Sequence, residues 1–200
     1  MGGVILKSYR TGTVKIGYRW WDLFLESFLP SVINIEGSVS FKGKAIMGGG
    51  IRLNIADSGI LTIGNNVQIG SGTCLDVQKE IEIGDVTCVA GNCYINSTDG
   101  EINIGSRCWL NYGTEVRSHT VIPNYSISAR NSLLVGDYSN EGNNLFLVGA
   151  PAKTVKRNVQ RIFSRRLELQ LHRYFFEHPN SSEVQMNHGL EDDDCKVFGD

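Results

Sequence analysis

The sequence predicts a mainly β solenoid, in which three short strands make one coil and the coils stack along a common axis. Three observations predict it. First, Ile60-Leu61-Thr62-Ile63-Gly64, Glu80-Ile81-Glu82-Ile83-Gly84 and Glu101-Ile102-Asn103-Ile104-Gly105 repeat at steps of 20 and 21 residues. Second, apolar residues inside each unit return every six positions: Ile63, Val67, Ile69 and Leu75, then Ile83, Val89 and Ile95, then Ile104, Leu110, Val116 and Ile122. A helix would place them three, four and seven apart, and simple strand alternation would not single out every sixth. Third, glycine makes up 23 of 200 residues and falls in register behind the aliphatics, at Gly64, Gly70, Gly84 and Gly105. A period of six with turn-prone residues suits short strands joined by tight corners, stacked through parallel backbone hydrogen bonds with the aliphatics pointing inward.

The elements follow in order. Residues 1–32 place Lys7, Arg10, Lys15 and Arg19 among Tyr18, Trp20, Trp21, Phe24, Leu25, Phe28 and Leu29. This predicts an amphipathic cap over the open end of the solenoid, where an unpaired strand edge needs cover. The same mixture of cations and aromatics also suits peripheral contact with a bilayer. Residues 33–152 are the solenoid. From 153 to 177 the period changes to three and four (Val155, Val159, Ile162, Phe163, Leu167, Leu171, Tyr174, Phe175), which predicts an amphipathic C-terminal helix packed along the prism. Residues 178–200, with the acidic run Glu191-Asp192-Asp193-Asp194, read as a mobile tail.

Composition narrows the function. With 41% hydrophobic residues, 20% charged and a net charge of −2, the chain belongs with folded globular proteins. The near-neutral balance argues against a nucleic-acid partner, which needs a basic face. No apolar run approaches the roughly 20 residues of a membrane span, and basic residues break every N-terminal stretch that could serve as a secretory signal. The five cysteines (Cys74, Cys88, Cys93, Cys108 and Cys195) contain no closely spaced pair, so they read as reduced packing residues of a cytoplasmic protein, with no metal site expected.

Over about residues 33–157 the chain resembles the hexapeptide-repeat acyltransferases, and within them the O-acetyltransferases of cell-surface polysaccharides. The motifs are the hexapeptides themselves, the run Ile122-Pro123-Asn124-Tyr125-Ser126-Ile127-Ser128-Ala129-Arg130-Asn131-Ser132, and the closing Val148-Gly149-Ala150-Pro151-Ala152-Lys153. The resemblance implies a left-handed parallel β-helix, a homotrimer with a site between neighbouring prisms, acetyl-CoA as co-substrate and a saccharide acceptor. It also implies site residues. Asp99 matches the family's aspartate, but Glu101 stands where the catalytic histidine is usual, and the loop that follows is shortened.

Moving an acetyl group to a hydroxyl needs a base with a pKa near neutrality, normally histidine. His119 lies about one coil later and is the single histidine within the repeats. It reads either as an exposed surface residue or as a replacement base, acting from a neighbouring coil or towards the next subunit. Glu101 is a weaker candidate, since an ordinary carboxylate has a pKa near 4.3. Trp109 matches a groove-lining tryptophan, or a packing residue at a subunit contact. Asn96 and Tyr112 are candidates for the acceptor side. Ala129, Arg130, Asn131 and Ser132 match the stretch that meets the pantetheine arm, and Lys153 and Arg157 would meet coenzyme phosphates. Lys153 reads equally as part of the turn leaving the helix. The departure at Glu101 keeps a second reading open, a β-helix that binds or scaffolds without catalysis. A metal-dependent hydratase of the same fold would need three histidine ligands, and the repeats hold one.

Overall fold

A computed structural model of the chain describes residues 4–7, 13–16, 30–159, 161–162 and 165–181. It divides into two compact units, residues 1–160 and 161–200.

The first unit is a parallel β-helix with three faces. The first face is a nine-stranded sheet in the order Val4–Lys7, Thr13–Ile16, Ala45–Met47, Val67–Ile69, Cys88–Val89, Trp109–Leu110, Ile127–Ser128, Phe146–Gly149 and Ala152–Lys156. The second has five strands: Ser38–Phe41, Ile60–Ile63, Glu80–Ile83, Ile102–Ile104 and Thr120–Ile122. The third has six: Val32–Ile35, Arg52–Ile55, Cys74–Val77, Tyr94–Asn96, Glu115–Val116 and Leu133–Leu134. The chain visits the third, second and first faces in turn, so each coil pairs in parallel with the next.

The predicted columns are the core. Leu61, Ile81, Ile102 and Thr120 stand in register on the second face, as do Ile63, Ile83, Ile104 and Ile122. Leu53, Leu75, Ile95, Val116 and Leu134 form the column of the third face. All of these are buried, and each buried aliphatic contributes about 1.5–3 kcal/mol over its exposed state. Small hydroxyl residues fill the tight positions and bridge coils: Thr87 Oγ1 donates to Gly105 O (2.7 Å) and accepts from Cys108 N (3.1 Å). Cys88, Cys93 and Cys108 are buried free thiols, and burial pushes the Cys93 and Cys108 thiols up to about 12. They pack within the prism.

Corners decide whether such a coil can close. Between the second and first faces, Asn66, Val86, Arg107 and Tyr125 all take left-handed φ values, from 56° to 61°. In three of them that conformation turns the N–H onto a carbonyl of the preceding coil: Val86 onto Asn65, Arg107 onto Asp85 and Tyr125 onto Ser106, at 2.7–2.9 Å. Beside them runs a ladder of side chains. Asn65 N donates to Asp85 Oδ1 (2.7 Å), Asp85 N to Ser106 Oγ (3.1 Å) and Ser106 N to Asn124 Oδ1 (2.8 Å).

The ends differ from the sequence reading in one respect. Ala152–Lys156 is not the first turn of a helix but a strand, antiparallel to Phe146–Gly149. Val155, Val159 and Ile162 satisfy helical spacing by coincidence, whereas β-branched Thr154 and Val155 favour a strand closing the sheet edge. Tyr138 plugs this end of the core, its hydroxyl donating to Ala152 O at 3.0 Å. At the other end, Val4–Lys7 and Thr13–Ile16 form a hairpin that joins the first face beside Ala45–Met47. The aromatic stretch 18–29 of the expected cap lies outside the described residues, as does the tail from 182 onward.

In the second unit the helix runs from Arg165 to Glu177. Among the described residues no helix is long and apolar enough to cross a membrane.

Candidate functional site

The corner between the third and second faces is less regular than the other two, and there the strands leave a groove. It measures about 640 Å³ and is lined by one or more residues from each successive coil: Ser58 and Ile60, Lys79 and Glu80, Asp99 to Glu101, His119 and Val121, and Asp137. Thr120 stacks on Ile102, so His119 stands beside Glu101 one coil on, and its N–H donates to Glu101 O at 2.9 Å. That bond requires a left-handed turn, and His119 has φ 63°.

The turn lays the imidazole over Gly100. A Cβ built on Gly100 would fall 2.2 Å from His119 Cε1, 2.4 Å from Nδ1 and 2.5 Å from Nε2. Only a glycine leaves room for the ring. The segment around it is tied to the same coil: Asp99 N donates to Ser118 Oγ (3.2 Å), and His119 N to Glu101 O on the other side. The Ser118 hydroxyl, and then the charge of His119, hold the Asp99 carboxyl below its ordinary value. Asp137 is likewise held low by Ser139, whose N–H donates to its Oδ1 at 2.7 Å.

Three residues singled out in the sequence, Asp99, Glu101 and His119, therefore meet in one groove. Imidazole, carboxylates and an apolar floor of Ile60 and Val121 can accept a proton from a hydroxyl and hold a polar ring in place. Among the described residues no group of three His, Cys, Asp or Glu is placed to hold a metal ion.

The remaining candidates lie elsewhere on the chain. Asn96 is buried just upstream of the groove, donating to the Tyr94 hydroxyl (2.6 Å) and accepting from Thr98 Oγ1. Trp109 stands on the outer surface of the first face between Cys88 and Ile127. Tyr112 lies at the corner between the first and third faces, its hydroxyl against Asn92 Nδ2 and its ring under the Arg130 guanidinium at 5.1 Å. Ala129 N donates to Leu147 O (2.8 Å) and Asn131 N to Tyr112 O (3.0 Å), so these two donors are already used within the stack. Ser132 is buried, and its Oγ accepts from Gly149 N at 3.3 Å. Lys153 is exposed on the closing strand. Arg157 is engaged twice by Glu141, through Oε2 (2.7 Å) and the main-chain O (3.0 Å), which pins the 136–144 loop.

Sequence reasoning missed Gly100, Ser58, Lys79, Glu80 and Asp137. Glu80 carried a signal, because it precedes its Ile-x-Ile-Gly segment as Glu101 precedes the next. Asp137 sits in a coil with no repeat motif and carried none.

No protein-family model and no curated protein matches the chain. Solved structures do. A point variant of AntD, an N-acyltransferase from Bacillus cereus, in complex with dTDP and coenzyme A, is 14% identical, with 84% of this chain and 91% of that one covered at a TM-score of 0.60. AntD with dTDP and 3-hydroxybutyryl-CoA is 15% identical over 84% of this chain and 89% of its own, at a TM-score of 0.57. The polySia-specific acetyltransferase NeuO is 19% identical, covering 70% of this chain and 76% of its own at 0.52. At these identities the likeness shows a shared β-helix fold.

Proposed function

We propose that the chain is an acyl-CoA-dependent transferase that acetylates a hydroxyl of a saccharide, a surface polysaccharide or its precursor, with His119 as general base. The seating of His119 over Gly100, between Asp99 and Glu101, carries the proposal. The shared fold supports it, since AntD is an N-acyltransferase crystallised with acyl-CoA and NeuO is an acetyltransferase.

In this reaction His119 takes the proton as the sugar oxygen attacks the thioester carbonyl. The C–O bond forms, the tetrahedral intermediate collapses with loss of the C–S bond, and the imidazolium returns its proton to the departing thiolate. Asp99 favours the charged imidazolium. The products are the O-acetyl sugar and free coenzyme A. Trp109 and the 129–132 corner belong to a different face from the groove. In the proposed homotrimer they form the opposite wall, contributed by a neighbouring copy, with Lys153 near the coenzyme phosphates. Buried reduced thiols suit the cytoplasm.

The test is release of free thiol from acetyl-CoA in the presence of a saccharide, with calorimetry of CoA binding. Micromolar CoA binding, with turnover that falls at least about a hundredfold in His119→Ala, is the expected result. Engagement of Arg157 by Glu141 favours a second reading, a β-helix that binds saccharide without catalysis. Saccharide binding with neither CoA heat nor thiol release would select it.

A further inference from the structure

The imidazole of His119 can lie over Gly100 only if the turn carrying Gly100 is held at one height against the coil that carries His119. That turn leaves the strand Tyr94–Asn96 and ends at Glu101, beyond which Ile102 pairs with Thr120. From the following coil it is gripped by three consecutive residues. The Arg117 guanidinium lies over the Tyr94 ring at 5.5 Å, and His119 N donates to Glu101 O at 2.9 Å. The stretch between falls to Ser118. A serine hydroxyl has one hydrogen to give and two lone pairs to accept with, and here both functions are used. Ser118 Oγ donates to Asn96 O (3.3 Å) and accepts from Asp99 N (3.2 Å). At the same corner Ser58 Oγ donates to Gln78 O and Ser97 Oγ accepts from Lys79 N, both at 3.3 Å. Each of those hydroxyl contacts ties one point of a neighbouring coil. Ser118 ties two points three residues apart, and so fixes the run from 96 to 99 that delivers Gly100.

Resting on the acyltransferase reading, we infer that Ser118 is a positioning residue for the base: its hydroxyl sets the 96–99 run so that Gly100 lies beneath the imidazole and the ring faces the acceptor. The His119 side chain is exposed, so its direction rests on that floor more than on packing around it. Lys79, Glu80, Asp99, Glu101 and Asp137 line the same groove and are left in place when the hydroxyl is removed, so what it supplies is placement and not charge. Without it, Asn96 O and Asp99 N turn to water, the turn gains freedom and the ring loses its seat. Misplacing a reacting group by about 1 Å can cost about a hundredfold in rate.

The experiment reads the seat and the reaction separately, on the full chain. NMR measures the Overhauser contact between the His119 ring protons, assigned against His119→Ala, and the Gly100 α-protons. Thiol release from acetyl-CoA, with the methyl glycosides of glucose, galactose and N-acetylglucosamine as acceptors, gives kcat and KM. Ser118→Ala should lose the contact and lower kcat about tenfold, with KM changed less than about twofold. Ser118→Thr, which keeps the hydroxyl, should retain both. Ser106→Ala is the control for stability: Ser106 Oγ accepts from Asp85 N at 3.1 Å, the same kind of bond at another corner. It should lower the melting temperature as Ser118→Ala does, and leave the contact and kcat as in the parent. If Ser118→Ala does not fold, Ser118→Cys, with a weaker acceptor, takes its place under the same criteria. A parent-like contact in Ser118→Ala, an equal loss of kcat in Ser106→Ala, or a Ser118→Thr protein as impaired as Ser118→Ala overturns the inference. Loss of the contact with no thiol release even in the parent protein leaves the seat assigned to Ser118 and removes the acyltransferase reading instead.

Discussion

At the scale of single residues, the most informative position is Gly100, a residue with no chemistry of its own. Its φ lies outside the left-handed region, so alanine suits the backbone there, and the substitution acts on one neighbour, the His119 ring. Gly100→Ala should push the imidazole out of its seat and lower kcat by about one to two orders of magnitude, part of the 10²–10⁴ that a positioned base supplies. Melting temperature should hardly move, because Gly→Ala at a compatible site is worth about 0.4–1 kcal/mol and stabilises. The pH–rate profile separates positioning from mere structure: it should change in Gly100→Ala in the same way as in His119→Ala. A Gly100→Ala protein with the parent rate and profile would show that the seat is not used. Asp99, Glu101 and His119 were legible in the sequence because they carry titratable groups. Gly100 was not, since its role is an empty volume that depends on a coil length no motif specifies.

At the scale of elements, the fold was legible almost throughout, because a solenoid writes its packing into a local period. Ile81 and Ile102 are 21 residues apart and yet stack directly, so register could be read by counting. What the period could not convey was where it stops. The spacing of Val155, Val159 and Ile162 predicts helix from 153, whereas Ala152–Lys156 is a strand, since apolar spacing is indifferent to whether the backbone curls or extends. Corners were only half legible: Gly50, Gly72 and Gly113 take left-handed positions between the first and third faces, but between the second and first faces those positions are filled by Asn66, Val86, Arg107 and Tyr125. Val86 is the odd member. A β-branched side chain at φ 58° meets its own backbone, and left-handed geometry costs a non-glycine residue about 1–2 kcal/mol. Asparagine tolerates that region better. Val86→Asn should therefore raise stability by about 1 kcal/mol, read as a higher urea midpoint at unchanged slope. A lower midpoint would mean that Val86 packs well enough to outweigh its strain.

For the molecule as a whole, the outer surface of the first face sets the decisive question. Ile46, Gln68, Cys88, Trp109, Ile127 and Phe146 stand in register along it, one from each coil. The second face instead turns Glu80, Glu82 and Glu101 outward. The stripe is half-buried, with Cys88 buried, and mixes Gln68 with apolar Ile46, Trp109, Ile127 and Phe146; in the proposed trimer it is the surface that meets a copy of the chain. A stable contact needs roughly 800 Å² from each partner, which the length of six coils can supply and a single aromatic cannot. The proposed trimer should run in light scattering at about 66 kDa, three times the 22.1 kDa chain. Trp109→Glu places a charge midway along the stripe, where burying it unpaired costs several kcal/mol, and should yield monomers that keep the β-sheet circular dichroism of the parent. If the proposed trimer supplies the opposite wall of the groove from a neighbouring copy, those monomers should also lose turnover although His119, Gly100 and Asp99 are untouched. Monomers as active as the parent would confine the site to one prism, and the groove beside His119 would then have to hold both substrates unaided.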